Sequence, residues 1–565
     1  MAPRRIDPAA PCSIVVAACV SGCMLLLGER TEQCRTHAQC QALDPGYVCA
    51  SDGVCVPLTR DQRALEGFAG SECRSDTECA RTKGQAVCRS GACVPLNEPE
   101  LGCASLGWGT TSPPDGAPIL TLGMLVAADE IGGRPRQRLA ATVGLAILDF
   151  NRARESFQLD GLPALVGVAC DESRPESLDY LLDSLRVRVI FGPTDPARLE
   201  SVLSRTGDRA LLIPSFADGP NLQPQGTEPA GSILSCRPNR SGIRAYLLDA
   251  IAEAREQIAA VSASSVGSIV PALAVSGDVA TVSFASGFDD GQLAAAGVRR
   301  TPYLTEPGGR GLVGALASAD PAVRLIVAAS AEDAWEDNIP AVDGAAFARG
   351  GTYPYYLLAD KRFAVLQTVL RDQLTAQGFP RQYRRILGLD YARSDQTTML
   401  RSRFENAFVV QTQSATEPGF EYVYDCAYAA VYATVAASLR LQQAATGLVP
   451  EGILLGLRAL QGGGAQRPVG AFEIPSVLAS LESSRGADGT IDLIGASGTL
   501  DFQLDTDSPA AVARRYVSVV PPGGELYCID VERQTFCDTG VVFPPGGGAP
   551  NRPIAERCTC LRGAP

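Results

Sequence analysis

The chain reads ILTLGMLV at 119–126, ALVGVA at 164–169, VRVIF at 187–191 and ALLI at 210–213. These four apolar runs have the length of buried strands. Apolar residues recur at helical spacing from Leu139 to Phe150, and 175–186 and 196–205 are the next predicted helices. Strands that alternate with helices of this length predict a parallel sheet with helices on both faces. On such a sheet, ligands bind at the carboxyl ends of the strands.

Short motifs follow these strands in order. They are the helix end Asp149-Phe-Asn151, the acidic turn Asp171-Glu172, the sequence Ile190-Phe-Gly-Pro193, the turn Ile213-Pro-Ser215 and the crossing Cys236-Arg-Pro238, followed by 354–358, 424–431 and 498–502. In this order they resemble the type I periplasmic binding proteins, specifically the substrate-binding proteins for branched-chain amino acids of ABC transporters. The resemblance covers about 118–520.

The resemblance implies a two-lobed α/β fold of parallel sheets flanked by helices, with a hinge between the lobes. The first lobe would comprise about 118–238 and 389–490, and the second about 239–388 and 498–520. Ligand contacts would come from residues in loops at the edge of the cleft. These residues are Asp129, Glu130, Thr194, Asp195, Phe216, Ala217, Asp218, Tyr356 and Asp360. The residue types alone leave open that these positions are solvated loop residues or an acidic rim.

The same resemblance implies a preference for particular ligands. In the amino-acid binders of this family, the first lobe holds the ligand's carboxylate with hydroxyls and backbone N–H groups. Here Asp195 and Asp218 would face that carboxylate with like charge, and each close encounter costs about 4 kcal/mol at an effective dielectric constant of about 20. We therefore expect a ligand other than an ordinary branched-chain amino acid.

An apolar stripe lies further along the chain. Its residues, Tyr424, Tyr428, Val431 and Val435, recur at helical spacing, which predicts that they pack in the core.

The first residues have the pattern of an export signal. Arg4 and Arg5 precede an apolar stretch that ends in Val20-Ser-Gly-Cys23, which resembles a bacterial lipobox. We expect 1–22 to be a signal peptide, and lipid on Cys23 to hold the protein on a membrane in the periplasm or at the outer cell surface. Because the apolar run continues to Leu27, a plain signal peptide or a short retained anchor stays open.

Cysteines dominate the region that follows. Two repeats, at about 34–58 and 73–96 within 23–106, contain Cys34, Cys40, Cys49, Cys55, Cys73, Cys79, Cys88 and Cys93. Units this small need disulfides for stability, and the spacing does not match that of zinc ligands. The connectivity stays open, and so does the partner of Cys170, for which Cys236 is one candidate. A linker at 107–117 follows the repeats, and 521–565 is expected to be a poorly packed, cysteine-containing extension.

Composition excludes several classes of function. The net charge of −13 argues against nucleic-acid binding. The single histidine, His37, removes Ser-His-Asp triads and His-based zinc sites, and neither lysine lies in a P-loop. We expect no cofactor, no metal and no enzymatic activity. The prediction is an exported solute-binding protein that captures a small molecule between two lobes, with an ABC permease as possible partner. The alternatives are a ligand-sensing receptor ectodomain of the same fold, and a secreted α/β enzyme limited to carboxylate chemistry.

Overall fold

The protein is described from a computed structural model. The described residues are 47–49, 55–57, 73, 75–106, 119–127, 138–159, 162–214, 231–237, 240–277, 282, 285, 287–304, 306, 309–319, 323–328, 335–349, 353–359, 385–391, 395–414, 416, 419–462, 464–503, 514–519, 523–530, 535–544 and 550–551. The chain forms two compact units, Met1–Pro95 and Leu96–Pro565. The predicted signal peptide, Cys23 and the linker 107–117 lie outside the described residues. Within those residues, no helix is both long and apolar enough to cross a membrane.

The first unit consists of small hairpins. Its elements are β1 (Tyr47–Cys49), β2 (Cys55–Pro57), α1 (Asp76–Lys83), β3 (Ala86–Arg89) and β4 (Ala92–Pro95), with β1–β2 and β3–β4 antiparallel. Disulfides join Cys73 to Cys88 and Cys79 to Cys93, so the predicted stapling of the second repeat is confirmed. The pairing of Cys34, Cys40, Cys49 and Cys55 lies outside what the structure describes.

The second unit begins with one α/β segment and continues with another. The first contains β5 (Cys103–Leu106), β6 (Ile119–Val126), α2 (Arg138–Phe157), β7 (Ala164–Asp171), α3 (Pro175–Asp179), β8 (Val189–Phe191), α4 (Leu199–Thr206), β9 (Leu211–Ile213) and β10 (Gly231–Ser235). The next contains α5 (Arg240–Ser262), β11 (Val270–Ser276), α6 (Asp290–Ala295), β12 (Arg299–Tyr303), α7 (Arg310–Ala319), β13 (Val323–Ala328), α8 (Trp335–Ala348), β14 (Tyr355–Ala359) and β15 (Ile386–Tyr391). The helix expected at 175–186 is present as α3 continued by a π-helical turn, Tyr180–Ser184. The helix expected at 196–205 is present as a 3-10 turn, Pro196–Arg198, followed by α4.

The remaining chain returns to both segments. It contains α9 (Asp395–Thr412), α10 (Phe420–Leu441), α11 (Pro450–Gly456), β16 (Ala465–Pro468), α12 (Ile474–Ser484), β17 (Ile491–Ile494), β18 (Phe502–Gln503), β19 (Arg514–Val519), β20 (Gly524–Asp530) and β21 (Thr535–Phe543). Helix α10 is buried along most of its length, and Tyr424, Tyr428, Val431 and Val435 are all inside, so the prediction of core packing for this stripe is confirmed.

Two large sheets organise the second unit. The first has the order β18-β19-β10-β9-β8-β6-β7-β5, and the second has the order β12-β11-β13-β14-β15-β20-β21. In each, the first parallel strand in sequence, β6 or β11, lies between the second and the third. The strands β6–β10 of the first sheet and β11–β15 of the second therefore follow the doubly wound order 2-1-3-4-5. In the first sheet, β19 adds a sixth parallel strand beside β10. The right-handed crossover rule makes this order the natural outcome of alternating strands and helices.

Each sheet has its own hydrophobic core. Around the first sheet, Leu122 and Phe150 pack with Tyr428 and Val519. Around the second, one face carries the cluster of Leu273 with α5, and the other carries the cluster of Ala272 with α7 and α8. The second unit therefore consists of two lobes, as predicted, and each lobe is stabilised by the burial of its own apolar side chains.

The lobe boundaries differ from the expectation near the C-terminus. Strands β18 and β19, expected in the second lobe, extend the first sheet, because β19 pairs in parallel with β10. Strands β20 and β21, expected in a poorly packed extension, form a hairpin that extends the second sheet beside β15. Their side chains complete the core of that lobe, where the rings of Tyr246 and Phe543 stack with centroids 6.2 Å apart.

Two disulfides fasten other parts of the first lobe. Cys103–Cys170 joins β5 to the end of β7, so 96–106, expected within the repeats, belongs to the second unit instead. Cys236–Cys426 joins the residue after β10 to α10. Cys170 and Cys236 are therefore not partners. The carboxyl end of β10, where the chain leaves the first lobe, is fixed covalently to the core helix.

Candidate functional site

The carboxyl ends of both sheets meet at the connections between the lobes. The chain leaves the first lobe after β10 and after β19, and it leaves the second after β15. All three strands end at the carboxyl edge of the parallel part of their sheet, because β19 is parallel to β10. The connections comprise 236–239, 392–394 and 520–523, and segments this short span at most about 18 Å. The edges at which α/β sheets bind ligands are thus held close together.

The switch point of the first sheet lies at the end of β6. Strand β7 lies on one side of β6 and β8 on the other, so the loops that follow these strands diverge and leave a crevice between them. Gly192 brings the end of β8 close to β6. Its φ is +99°, and a Cβ there would lie 2.2 Å from the carbonyl oxygen of Leu125, so only glycine fits.

Glu172 and Thr194 connect the two sides of this crevice. The backbone N–H of Thr194 donates to Oε2 of Glu172 at 2.6 Å, and its hydroxyl donates to Oε1 at 2.7 Å. The backbone N–H of Glu172 donates to the carbonyl of Val126 at 2.8 Å, which ties the turn after β7 to the end of β6. We call this pair of side chains the Glu172–Thr194 clamp. Hydrogen bonds to a carboxylate are about twice as strong as neutral ones.

The charged residues next to the clamp form hydrogen bonds and ion pairs with residues close to them in the sequence. Asp171 is 5% exposed and accepts hydrogen bonds from the backbone N–H and hydroxyl of Ser173. Asp195 accepts from the backbone N–H of Ala197 at 2.9 Å and pairs with Arg198 at 3.5 Å. The carboxylate of Asp195 therefore caps the following helical turn, and its side chain is 46% exposed. Its contact with a ligand stays a prediction.

The second-lobe candidate Tyr356 lies in the protein interior. It is fully buried, and its hydroxyl donates to Oδ1 of Asp343 at 2.8 Å. The same carboxylate binds the guanidinium of Arg385, with Nη2 to Oδ2 at 2.5 Å. Tyr356 therefore belongs to the core between β14 and α8 and has no exposed surface to offer a ligand. The other predicted contacts, Asp129, Glu130, Phe216, Ala217, Asp218 and Asp360, lie outside the described residues.

Two carboxylates in the first lobe, the half-buried Asp149 and the fully buried Asp425, were not among the predicted site residues. Oδ2 of Asp149 accepts from the hydroxyls of Tyr424 at 2.9 Å and Tyr428 at 2.8 Å, which joins α2 to α10. Burial raises the pKa of Asp149, and these hydrogen bonds oppose that rise. Asp425 accepts from the backbone N–H groups of Ala496 at 3.0 Å and Ser497 at 2.7 Å. Burial raises the pKa of Asp425 to about 7, so it titrates near neutral pH.

Sequence reasoning missed Glu172 as a site residue, although it named the acidic turn that contains it. The sequence signal for Glu172 was its position directly after a buried strand. Its hydrogen-bond partner, Thr194, lies 22 residues later in the sequence.

The disulfide bonding of the second repeat also excludes a metal centre there. The sulfur atoms of Cys73, Cys79 and Cys93 lie within 4.8 Å of one another, but all three are in disulfides and are not free thiolate ligands.

No protein-family model matches the chain, and no curated protein matches its sequence. Solved structures do match. The periplasmic ligand-binding protein of a branched-chain amino acid ABC transporter from Burkholderia xenovorans LB400 is 14% identical, with 78% of this chain and 100% of that one covered and a TM-score of 0.46. A branched-chain amino acid ABC transporter protein from Thermus thermophilus with bound valine is 14% identical, with 78% and 98% covered and a TM-score of 0.44. An R. palustris ABC transporter solute-binding protein in complex with benzoate is 14% identical, with 79% and 100% covered and a TM-score of 0.43.

These identities are too low to indicate the ligand, and the fold is assigned from the strand order of the chain itself. The strand order of the chain is the more informative observation, since both lobes have the order 2-1-3-4-5 and the chain passes between them after β10, β15 and β19. The crossings leave from the edges where such sheets bind ligands. The second unit of this chain therefore has the two-lobed α/β architecture that the resemblance to the type I periplasmic binding proteins implies.

Proposed function

We propose that the chain is an exported, non-enzymatic solute-binding protein that captures a small molecule between its two lobes. The main support for this proposal is that three short connections hold the carboxyl edges of both sheets close together. Two separately cored lobes that share such connections can close on a ligand by a hinge motion, in which the connections absorb the backbone change. Closure would bring the loops after β6 and β8 towards those after β11 and β13.

The composition supports binding over catalysis. The single histidine, His37, lies in the N-terminal repeats and not in the two-lobed unit. The carboxylate at the switch point, Glu172, accepts two hydrogen bonds from Thr194, so both of its oxygen atoms are occupied. A secreted α/β enzyme therefore has little support.

The sequence before the repeats supports export and a lipid anchor on Cys23. An anchored binding protein would deliver its solute to an ABC permease. A receptor ectodomain of the same fold would instead bind a signalling protein. Co-purification of the anchored protein from cross-linked membranes separates the two, because a permease with an ATPase supports transport and a signalling protein supports sensing.

We propose further that the ligand is not an ordinary branched-chain amino acid. The carboxylate of Glu172 supports this proposal, because it occupies the hydrogen-bond donors of Thr194 at this edge of the sheet. Asp195 lies at the same edge and caps a helical turn, and Asp218 lies outside the described residues. Calorimetry with leucine, isoleucine and valine tests this proposal. Micromolar binding of any of the three would overturn it.

A thermal-shift panel of small solutes tests the binding function. A ligand at 100 times its Kd stabilises the protein by about 2.7 kcal/mol, so a true solute will stand out. We expect Thr194→Arg, which fills the crevice, to abolish the shift. The control Ser204→Arg, at an exposed position of α4, should retain it. A panel without any stabilising solute, or a shift that survives Thr194→Arg, would contradict the proposal.

A further inference from the structure

The switch-point crevice of the first lobe contains a pair of donors that suits a carboxylate. Thr194 offers its backbone N–H and its hydroxyl side by side, and together they hold both oxygen atoms of one carboxylate. That carboxylate belongs to Glu172, at 2.6 Å and 2.7 Å. The chain thus satisfies these donors itself, with the chemical group that an anionic ligand would bring.

The backbone holds Glu172 in this position from both sides. Its N–H donates to the carbonyl of Val126 at 2.8 Å, and its own carbonyl accepts from Nη1 of Arg198 at 3.0 Å. The turn that carries the carboxylate is therefore attached to β6 and to the residues that follow β8. A ligand that displaced the carboxylate would have to break both of its bonds to Thr194 while the rest of the turn stayed in place.

The local charges also disfavour an incoming anion. Asp171, Glu172 and Asp195 are the acidic groups described at this edge, and Arg174 and Arg198 are the basic ones. Arg174 pairs with Asp171 at 3.3 Å, and Arg198 pairs with Asp195 at 3.5 Å. The carboxylate of Glu172 remains without an ion-pair partner among these arginines, so its charge acts on whatever enters the crevice.

We propose that Glu172 is a specificity-determining residue that closes the first-lobe half of the cleft to carboxylates. Its side chain occupies the donors of Thr194, so the solute is neutral or positively charged at the end that enters this lobe. The inference rests on the proposed function and names its substrate class.

Acetate tests the proposal without knowledge of the natural solute. We expect Glu172→Ala to lower the Tm by a few degrees, because two hydrogen bonds are lost, and to leave the Thr194 donors free. Sodium acetate should then restore most of that loss, whereas sodium chloride at equal ionic strength should restore none. Glu176→Ala removes the same charge from an exposed position four residues away, and neither this control nor the wild type should distinguish acetate from chloride.

A second variant covers the case in which Glu172→Ala does not fold. Glu172→Ser shortens the side chain and keeps a polar group at its base, so it should fold, leave the Thr194 donors free and show the same specific response to acetate. A Glu172 variant that does not distinguish acetate from chloride would overturn the proposal, as would a wild-type protein that binds acetate or benzoate. If the proposed function fails instead, no solute of the panel binds, while the acetate response of Glu172→Ala persists.

Discussion

Substitution of Asp343 by Asn should strongly destabilise the second lobe. Asp343, on α8, and Arg385, directly before β15, are each 3% exposed and form a two-point ion pair, with Nη1 to Oδ1 at 3.1 Å and Nη2 to Oδ2 at 2.5 Å. Tyr356 donates to the same carboxylate at 2.8 Å. The Asn variant keeps the shape of the side chain and removes its charge, which leaves the guanidinium of Arg385 buried without a counter-charge.

The size of this effect follows from the burial. Removing one partner of a buried ion pair costs about 3–5 kcal/mol, which is a large part of the 5–15 kcal/mol that stabilises a typical domain. We expect the urea midpoint of the second lobe to fall by about 1 M or more. Far-UV circular dichroism of the variant and of the parent protein, recorded across a urea titration, reports the unfolding.

The matched control is Asp290→Asn in the same lobe. Asp290 pairs with Arg300 at 3.3 Å, and its side chain is 87% exposed. Surface pairs contribute about 0–1 kcal/mol, so the midpoint of this variant should stay close to that of the parent protein. If Asp343→Asn and Asp290→Asn shift the midpoint equally, the buried triad does not stabilise the lobe in the way we describe.

Three further predictions concern pH, oxidation and anchoring. The pKa of Asp425 is about 7 in the folded protein and about 4 in the unfolded chain, so its contribution to stability is full below about pH 4 and is lost as the pH rises through 7. Asp425→Asn should weaken the fall in Tm between these pH values, and an unchanged profile would refute the assignment. Mass spectrometry after alkylation without reduction should find no free thiol in the exported protein; two or more labelled cysteines in 34–93 would contradict the disulfide repeats. Cys23→Ser should move the protein from the membrane to the soluble fraction, and unchanged fractionation would exclude the lipid anchor.

The first lobe shows how much of the fold is encoded locally. Its strands are continuous apolar runs bounded by loops. Parallel strands of this kind can be recognised in the sequence because they are buried on both faces of the sheet. The alternation of strands and helices then restricts the topology to a few choices. The resemblance added the second lobe and the crossing near Cys236, both of which the structure contains.

Long-range pairing was beyond the reach of the sequence. The hairpin β20–β21 joins β15 from a tail rich in proline and glycine, where no periodicity indicated a partner sheet. Cys170 lies at the end of β7 and Cys236 directly follows β10 of the same sheet, but their disulfides run to Cys103 and Cys426. Disulfide geometry depends on Cα separations, which sequence spacing does not reveal.

For the candidate site as well, the sequence predicted some features and could not predict others. The sequence placed Thr194 correctly after a strand of the first sheet, since strand ends can be read from apolar runs. It could not show that Tyr356 turns its hydroxyl to a buried carboxylate on α8, because neighbouring residues of a strand point to opposite faces and the covering helix is known only from the packing. The same limit concealed the pairing of Glu172 with Thr194.

A crystal structure of the protein with a stabilising solute from the panel tests the central claim most directly. The account predicts that the solute lies between the lobes and contacts the residues that follow β6 or β8 in the first sheet and those that follow β11 or β13 in the second. A solute bound away from both carboxyl edges would contradict capture between the lobes.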